Sequence, residues 1–529
     1  MAENKPPHLG EGENSRLPLI GCEMSVRTLK SLFMNTAYDN LHPISFFSEA
    51  NEAFNSLILH LSSSVPLGQE HGAIEHYIHK EGYELLRCLL QAHLDLRASL
   101  EPKQTDILNS RNKPLNHCRS KTQTTLTSLF GDVTVTRKGY NQRKEKTEYP
   151  LDKELSLATD QYSDGVKLQV IHQASHIAYD HVVEHLSQVT GAQVAKRQCL
   201  NIVQDCSQDF DSYYSQNRYI KPEPTTDLLV LTFDGKGIIM RPDSLRECTK
   251  KKAKKSHKLN ARLSAGEKRD RKRMAQVASV YSVLPHPRNA ASIIHKKKED
   301  NVHDLKAPAR NKRVWASVEH SSEDVIRDAF KEALQRDPEQ KRKWVVVIDG
   351  QPSQRKIIER VAKELEVEIT IVMDFIHVLE YIWKAAWCFF DKGDEAVEKW
   401  VSKYAVKILE GKCSQVAKGL RQSATKRGVE KRHAVDKCAD YLLKNKTRLK
   451  YDEALKSGFP IASGIIEGAC RHLINDRLDV TGARWGLKGA EAILKLRSLK
   501  SSGDLDEYWA FHKQQANKRN YRFKLSPEE

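Results

Sequence analysis

One short run of large, β-forming residues near the middle of the chain constrains the fold most strongly. Residues 343–351 have the sequence KWVVVIDGQ, and Trp344 to Ile348 shows no alternation with polar residues. Such a run is typical of a strand buried on both faces of a helix-covered sheet. Asp349 follows at once, at the strand end where α/β folds place their functional groups. Because Asp-Gly is also a common turn pair, Asp349 is either a turn residue or a functional carboxylate.

Length and charge narrow the class of protein. The chain has 529 residues, which predicts two to four domains. Its formal charge is +17 and its pI is about 9.2, so a polyanion such as nucleic acid is the first candidate partner. The ten cysteines include no C-x-x-C pair, which argues against a zinc ribbon and favours reduced cytosolic thiols. We expect no secretory signal and no membrane span, since no apolar run approaches eighteen residues.

The pattern of apolar and polar residues divides the chain into seven regions. We expect a disordered tail (1–20), a helical N-terminal region (21–123), a hairpin followed by helices that are candidates for DNA binding (124–220), two parts of a catalytic core (221–390 and 458–512), an all-α insertion (391–457) and a polar, frayed tail (513–529). The break at Gly191 between two helices suits a helix-turn-helix, with an ordinary helical hairpin as the alternative.

The predicted core elements follow a known order. Strands are predicted at 227–233, with a hairpin partner at 237–241, and then at 276–284, 344–348 and 367–373, with helices from 321, over 353–366, 376–390 and 463–475, and near 488–501. This order predicts an α/β, RNase H-like mixed sheet with helices on both faces and an all-α insertion before the last catalytic helix. In that layout the first and fourth strands are neighbours, so Asp234 and Asp349 lie side by side.

Two neighbouring carboxylates repel each other unless a cation lies between them. Oxygen ligands favour Mg²⁺ or Mn²⁺. Glu467 is the candidate third carboxylate, because it borders the apolar face of the 463–475 helix. A helical ion pair with Arg471 is its alternative role. Two metal ions at Asp234, Asp349 and Glu467 would allow in-line attack on phosphorus by water or a 3′-hydroxyl.

Ordered short motifs extend from the hairpin near 124 to about 500. They are 129–133 (LFGDV), 149–152 (YPLD), 190–194 (TGAQV), 233–237 (FDGKG), 313–317 (RVWAS) and 349–350 (DG). The two most specific motifs are 374–381 (DFIHVLEY) and 463–472 (SGIIEGACRH), the latter continuing into 481–485 (TGARW). As an ordered set, these motifs resemble the DDE transposases of bacterial insertion sequences, most closely the ISKra type.

The resemblance implies a catalytic triad of Asp234, Asp349 and Glu467. It also implies Mg²⁺-dependent cleavage and strand transfer at the ends of a mobile element, in the bacterial cytoplasm and nucleoid. The insertion is similar to that of Mutator-like transposases, whose (Cys or Asp)-x-x-His pair falls on Asp374 and His377. We do not assign these two residues as ligands, although Asp374 would replace Asp349 if the strand order were off by one. With Arg471, they are candidates for supporting the site, and a structural role is the alternative for His377.

Basic residues between the strands at 237–241 and 276–284 are candidate DNA contacts. A loop at 246–274 is dense in them, and such loops are either solvated or bound to phosphates. The candidates are Lys250, Lys251, Lys252, Lys254, Lys255, Lys268, Arg269, Arg271, Lys272 and Arg273. Further along, Arg484 is a candidate, and Trp485 could stack on an unpaired base or belong to the core.

Three functions are compatible with these patterns. A transposase would bind double-stranded DNA at the element ends and the target, and we expect at least a dimer, since two ends need two active sites. An RNase H-like nuclease or junction resolvase would cut DNA without joining it. A catalytically silent DNA-binding protein would keep the fold alone.

Overall fold

The structure is a computed structural model that describes residues 43–218, 220, 222–255, 271–294, 308–430, 432–480 and 482–525. The chain divides into two compact units, residues 1–100 and 101–529. The described part of the first unit is helical: a 3₁₀ turn at Pro43–Phe47 precedes α1 (Ser48–Ser62), α2 (Ser64–Leu67) and α3 (His71–Leu100). The described residues of the region predicted as helical are therefore helical up to Leu100, whereas the tail predicted at 1–20 lies outside the described residues.

The second unit opens with an antiparallel hairpin formed by β1 (His117–Ser128) and β2 (Gly131–Asn141). This hairpin was expected, but it begins inside the stretch 101–123 that was assigned to the helical N-terminal region. Five helices follow: α4 (Pro150–Glu154), α5 (Asp164–Ala174), α6 (Tyr179–Val189), α7 (Lys196–Cys206) and α8 (Phe210–Gln216). The break between α6 and α7 packs on the hairpin turn, because a Cβ at Gly191 would lie 2.3 Å from the carbonyl oxygen of Phe130.

A five-stranded mixed sheet forms the centre of the second unit. Its strands are β3 (Leu228–Ile239), β4 (Lys272–Val283), β5 (Arg310–Ser317), β6 (Trp344–Ile348) and β7 (Ile369–Met373), in the spatial order β5-β4-β3-β6-β7. β3 is parallel to β6 and β6 is parallel to β7, whereas β4 is antiparallel to both β3 and β5. All five residues of β6 are buried, as their uninterrupted apolar sequence predicts.

Two strand predictions for this sheet were wrong. One predicted strand does not exist and one observed strand was missed, so the number of strands is unchanged. The stretch 237–241 is not a separate hairpin strand: β3 continues through Asp234 and Gly235 to Ile239, paired with β4 along its whole length. The Asp-Gly pair makes no turn here because β-forming residues flank it and β4 supplies a partner for every residue. The third strand is Arg310–Ser317, which was missed because its first half is polar and basic.

Helices pack on both faces of this sheet. α11 (Ser322–Arg336) begins with a capping box, in which Ser321 and Asp324 exchange hydrogen bonds. Its Phe330 lies 6.1 Å from the ring of Trp344, on the face that Leu229 shares. The opposite face carries Asp234, since side chains alternate along a strand. The remaining helices around the first part of the sheet are α9 (Glu247–Lys255), α10 (Ala290–Ile294), α12 (Pro352–Glu364) and α13 (Phe375–Ala386).

Residues 391–457 contain helices and turns in the part that the structure describes, as the sequence predicts. They form α14 (Ala396–Leu409), α15 (Cys413–Lys426), α16 (His433–Asn445), a 3₁₀ turn at Lys446–Arg448 and α17 (Tyr451–Lys456). The chain then returns to the sheet through α18 (Gly464–Ala469), a π-helix at Cys470–Asn475, α19 (Asp476–Leu478) and α20 (Leu487–Ser502). α20 packs on β5: the hydroxyl of Ser498 accepts a hydrogen bond from Ala316 N at 3.3 Å.

The prediction of a polar, frayed tail at 513–529 was wrong for its described residues. α21 spans Leu505–Asn520, and Tyr521 and Phe523 are buried in a small cluster with Ile107, Leu115 and Tyr140. The cluster brings the chain end back to the start of the unit, where Lys524 N donates to Leu108 O at 2.8 Å. Among the described helices, none combines the length and the apolar character that crossing a bilayer requires.

Candidate active site and metal centre

Three aspartates lie level with one another where β6 and β7 end and the longer β3 continues. In the pairing of β3 with β6, Thr232 lies beside Val347, and two residues further along come Asp234 and Asp349. The register between β6 and β7, continued in the same way, sets Asp374 beside Asp349. Neighbouring strands are about 4.8 Å apart, and residues in register point to the same face. The expected juxtaposition of the first and fourth strands is therefore confirmed, and the fifth strand adds a third carboxylate.

Asp234 is half-buried and hydrogen-bonded on both carboxylate oxygens. Its Oδ1 accepts from Gly235 N at 2.6 Å, and its Oδ2 accepts from Cys470 Sγ at 3.1 Å. Burial and the negative charge of Asp234 raise the pKa of the Cys470 thiol, so this group stays protonated and can donate. The contact joins the middle of β3 to the segment that follows Glu467.

Asp349 begins the connection from β6 to α12. Its Oδ1 accepts from Gln351 N at 2.9 Å. Gly350 has a φ of +90°, and a Cβ there would lie 2.1 Å from Met373 Cε, so this position requires glycine. The turn therefore holds Asp349 at the strand end, in the position where a functional carboxylate was predicted.

The all-α insertion reaches the backbone of this turn. The Tyr441 hydroxyl donates to the carbonyl oxygen of Asp349 at 3.5 Å. Its ring stacks on Tyr381 of α13 with 4.1 Å between ring centroids. Burial raises the pKa of Tyr441, as do the neighbouring Tyr381, Asp349 and Asp374. Tyr441 therefore lies near two of the three strand-end carboxylates.

Asp374 is fully buried and links β7 to the helix that carries Glu467. Its Oδ1 accepts from Ile376 N at 2.8 Å, which caps α13. Its Oδ2 accepts from both the backbone N and the hydroxyl of Ser463, the residue that precedes α18. Since a carboxylate has about four acceptor positions, three of them are already used. These bonds give Asp374 a positioning role that accounts for its burial.

Glu467 is exposed on α18, whose next residues form the π-helix Cys470–Asn475. Short π-helical segments inside helices are frequent at functional sites. Both Glu467 and Arg471 are described, and no ion pair joins them, so the simple helical ion pair is not formed. Arg471 is exposed one turn further along.

Glu467 instead approaches Asp374 and His377. One ligand atom from each of the three residues lies within 4.8 Å of the others, and in the described part of the chain no other group of three acidic, histidine or cysteine side chains meets that spacing. Ligand atoms on opposite sides of an ion at about 2.1 Å would be about 4.2 Å apart. Small side-chain movements would therefore let Asp374, His377 and Glu467 hold a metal ion. The triad of Asp234, Asp349 and Glu467 does not reach this spacing.

The two possible ligand sets differ in chemistry and share Glu467. Asp234, Asp349 and Glu467 offer carboxylate oxygens alone, which suit Mg²⁺ and Mn²⁺. The set containing His377 adds an imidazole nitrogen, which shifts preference toward Mn²⁺ and later transition metals. In the described part of the chain, neither Asp234, Asp349, Asp374 nor Glu467 forms an ion pair with lysine or arginine. A bound cation would therefore relieve the repulsion between these carboxylates.

The candidate DNA contacts have different environments. Lys251, Lys252, Lys254 and Lys255 are exposed on α9, whereas Lys250 is partly buried and pairs with Glu247 at 2.8 Å. Lys268 and Arg269 lie outside the described residues. Arg271 is exposed, and Lys272 lies 3.7 Å from Asp479. Arg273 is a structural residue, because its guanidinium donates to the carbonyl oxygens of Val318, Ser244 and Glu319.

Of the last two candidates, only Arg484 is exposed. Trp485 is 7% exposed, and its Nε1 donates to Leu478 O at 3.1 Å. Its backbone also pairs with Ile239 and Arg241 at the end of β3. The core alternative is therefore correct for Trp485, and its indole face is not available for stacking on a base.

Three residues that structure this site were not identified from the sequence. Cys470 was counted only as part of an apolar helix face, and Tyr441 belonged to an insertion without distinguishing features. Ser463 could have been found, because a serine before a helix is a common capping residue. Its actual partner, however, is Asp374, 89 residues away, which no local pattern indicates.

Comparison with known protein families gives a match to one part of the chain. Residues 80–236 match the model of UPF0236, an uncharacterised protein family. The matched stretch includes Asp234 and ends before Asp349, Asp374 and Glu467. No curated protein matches the chain. Among solved structures, the chain is similar to the Drosophila P element transposase strand transfer complex, with 10% identity over 67% of this chain and 81% of that chain. The TM-score of 0.22 is too low to establish a shared fold.

Proposed function

We propose that the chain is a DDE transposase, which cuts and joins DNA at the ends of an insertion sequence through an RNase H-like core formed by residues 221–390 and 458–512. The observation that supports this most directly is the set of level carboxylates on neighbouring strands, Asp234, Asp349 and Asp374, without a basic partner among the described residues. Such groups stay ionised together at low cost only when a cation neutralises them. The resemblance of the ordered motifs to those of bacterial insertion-sequence transposases implies a role in phosphoryl transfer for the same set.

The protein groups in this proposal have separate tasks. Asp234 and Asp349 project from neighbouring strands and supply fixed oxygen ligands. Glu467 supplies a third from α18, which the Asp374–Ser463 and Cys470–Asp234 hydrogen bonds hold against the sheet. Divalent cations bound there, Mg²⁺ or Mn²⁺ and two in number, would supply Lewis-acid chemistry for in-line attack on phosphorus. Asp374 and His377 complete the surroundings of Glu467, with Asp374 mainly fixing its helix.

Strand transfer by purified protein tests the proposal. The substrate is a labelled duplex carrying the sequence that flanks the gene, with a plasmid target and Mg²⁺ or Mn²⁺. Wild type is expected to cut and join, while Asp349→Asn and Glu467→Gln lose joining by on the order of 10³-fold, about 4 kcal/mol of barrier. Glu398→Gln, an exposed glutamate of the insertion, is the matched control and should keep full activity.

The same assay distinguishes the two ligand sets and the competing functions. If Asp374→Asn loses joining while Asp349→Asn retains it, the second carboxylate is Asp374. If wild type cuts DNA and never joins it, the nuclease or resolvase function is correct. DNA binding without any cutting, in either metal, would identify a silent DNA-binding protein.

The exposed lysines of α9 are the proposed grip on the DNA backbone. Each phosphate contact contributes about 0.9 to the slope of log affinity against log salt. Replacing Lys251, Lys252 and Lys254 by glutamine should therefore weaken binding to any duplex and reduce that slope by up to about 2.7. Arg273 is omitted from this set because the fold uses its guanidinium.

A further inference from the structure

Two buried arginines in the segment 458–512 have no carboxylate partner among the described residues. Arg477 lies on α19 and Arg497 on α20, and they are 4% and 7% exposed. Burial lowers the pKa of Arg497 to about 10, against the opposing effect of Asp476, so this guanidinium is still charged at neutral pH. A buried charge is costly unless hydrogen bonds satisfy it. The groups that accept those hydrogen bonds therefore indicate what each arginine does.

Both arginines donate to backbone carbonyl oxygens. The Nε of Arg477 donates to Ala174 O at 2.9 Å. The Nη1 of Arg497 donates to Ser175 O, and its Nε donates to Leu473 O at 3.0 Å. The first two acceptors lie at the end of α5, where the last carbonyl groups of a helix lack partners of their own. The third acceptor lies inside the π-helix Cys470–Asn475, so Arg497 holds the π-helix as well as α5.

α20 provides Arg497 with a fixed support. The carboxylate of Glu491 accepts from Val318 N at 2.8 Å, and the hydroxyl of Ser502 accepts from Val314 N at 3.0 Å. These two side chains are about three turns apart and therefore lie on one side of α20. They bond this helix along β5 and the residue that follows it. Arg497 extends from this anchored helix to the π-helix.

The helical segment that carries Glu467 is held at three points. The hydrogen bonds of Ser463 and Cys470 to aspartates of the sheet are the first two. Two fixed points still let a rigid segment turn about the line that joins them. The bond from Arg497 to Leu473 O adds a third point, which α20 supplies instead of the aspartates. Together the three contacts fix the direction in which the Glu467 side chain leaves its helix.

We propose that Arg497 is a positioning residue for Glu467. By holding Leu473 O, it fixes the rotation of the π-helix and with it the place of the Glu467 carboxylate beside the sheet. This role rests on the proposed function, in which Glu467 is a metal ligand. Groups that orient metal ligands typically contribute about 10- to 100-fold to metal affinity or activity. Through Ser175, the same guanidinium ties this segment to the region predicted to bind DNA.

Binding of Mn²⁺ to the full chain, measured by electron paramagnetic resonance without DNA, tests the effect on Glu467. Wild type should bind the ion and Glu467→Gln should lose it. Arg497→Met keeps an apolar stem but no donor, and should weaken Mn²⁺ binding by about 10- to 100-fold. Arg497→Lys keeps the charge but offers one nitrogen to two carbonyl groups, so it should restore only part of the affinity. Complete recovery with lysine, or unchanged affinity with methionine, would overturn the proposal.

Arg477→Met is the matched control. It removes a guanidinium that is equally buried and is also bonded to the end of α5, but it leaves the bond to Leu473 O in place. Mn²⁺ affinity should therefore change by less than about twofold. Equal weakening in the two methionine variants would assign the effect to the contacts with α5 and overturn the role of the Leu473 carbonyl.

Hydrogen exchange in the absence of metal and DNA separates this proposal from the proposed function. In Arg497→Met, the amides of residues 470–475 should exchange roughly fivefold faster or more, while those of β3 and β6 keep the wild-type rate. If β3 and β6 also exchange faster, the comparison is made with Arg497→Lys, which should still loosen the π-helix. Unchanged exchange at 470–475 would overturn the proposal. Faster exchange there, in a protein whose wild type binds no Mn²⁺, would overturn the proposed function and with it the role of Glu467.

Discussion

The two ends of the parallel strands β3 and β6 carry charged residues in opposite arrangements. At the amino ends, Arg342 donates to the carboxylate of Glu223 at 2.8 Å and to the carbonyl oxygens of Asp227 and Leu228. At the other side, where the pairing of β3 with β6 ends, Asp234 and Asp349 have no basic partner among the described residues. The same strands therefore present a neutralised end and a negatively charged end.

The neutralised end extends into a network centred on Glu332. This buried carboxylate accepts hydrogen bonds from Arg218, Arg313 and Arg336. Burial alone would raise the pKa of Glu332, but the three guanidinium groups outweigh it and lower the pKa to about 2. A buried charge with this many partners serves the fold. Asp234 and Asp349 are hydrogen-bonded but have no basic partner among the described residues, and they are the acids for which we propose a function.

Neutralising one carboxylate at each end gives the largest contrast in stability. Glu332→Gln should lower the free energy of unfolding by about 3–5 kcal/mol, because it leaves the buried Arg313 and Arg336 and the partly buried Arg218 short of a counter-charge. Asp349→Asn should leave stability unchanged or slightly raised, because it relieves repulsion. Urea denaturation followed by circular dichroism measures both. An equal loss in the two variants would show that Asp349 is also a structural acid.

Lowering the pH should remove the contribution of Glu332 to the stability of the fold over a defined pH range. The pKa of Glu332 is lowered from 4.5 to about 2 on folding, so its contribution is fully present above pH 4.5 and is lost as the pH falls toward 2. This difference in pKa between the unfolded and folded states corresponds to about 3 kcal/mol. The stability difference between wild type and Glu332→Gln should shrink over that range, and subtraction cancels the titration of other carboxylates. A difference that stays constant down to pH 2 would contradict this assignment.

The strand ends could be predicted from sequence because they depend on local pattern. The uninterrupted run Trp344 to Ile348 defined a buried strand, and strand order then brought Asp234 beside Asp349. The same local logic failed at Asp234 and Gly235, an Asp-Gly pair that lies inside a continuous strand because β4 pairs through it. It failed again at Tyr521 and Phe523, whose burial depends on a cluster more than 380 residues earlier in the chain.

The arrangement around Glu467 was beyond sequence reasoning for a similar reason. Which carboxylate approaches Glu467 depends on how α18 is anchored, and that anchor is the contact of Asp374 with Ser463. At Trp485 a local pattern was misleading. Its aromatic ring and its neighbour Arg484 suggested a DNA contact, but backbone pairing with the end of β3 buries Trp485. Local pattern identifies chemistry, whereas tertiary hydrogen bonds decide which groups meet.

A bound divalent cation should stabilise the folded protein through the carboxylates at the negatively charged end of the strands, and not through the Glu332 network. At a concentration 100 times its dissociation constant, a cation that binds only the folded state adds about 2.7 kcal/mol. Mn²⁺ or Mg²⁺ should therefore raise the melting temperature of wild type and of a folded Glu332→Gln sample. Glu467→Gln should lose this response, since Glu467 belongs to both possible ligand sets. A response that survives in Glu467→Gln would place the bound ion elsewhere.

The smallest expected effect concerns the thiol that joins the charged end to its helix. Cys470→Ala removes the hydrogen bond to Asp234 Oδ2, a contact of 3.1 Å worth about 1 kcal/mol. Strand transfer should fall by roughly tenfold or less, since 1.36 kcal/mol corresponds to a factor of ten. Cys470→Ser, which keeps a donor at nearly the same place, should restore the rate. The burial that raises the pKa of Cys470 keeps the thiol protonated, so rate should not depend on thiol ionisation between pH 7 and about 9. If alanine and serine reduce the rate equally, Cys470 acts by filling space, and the Asp234 carboxylate does not need its hydrogen bond.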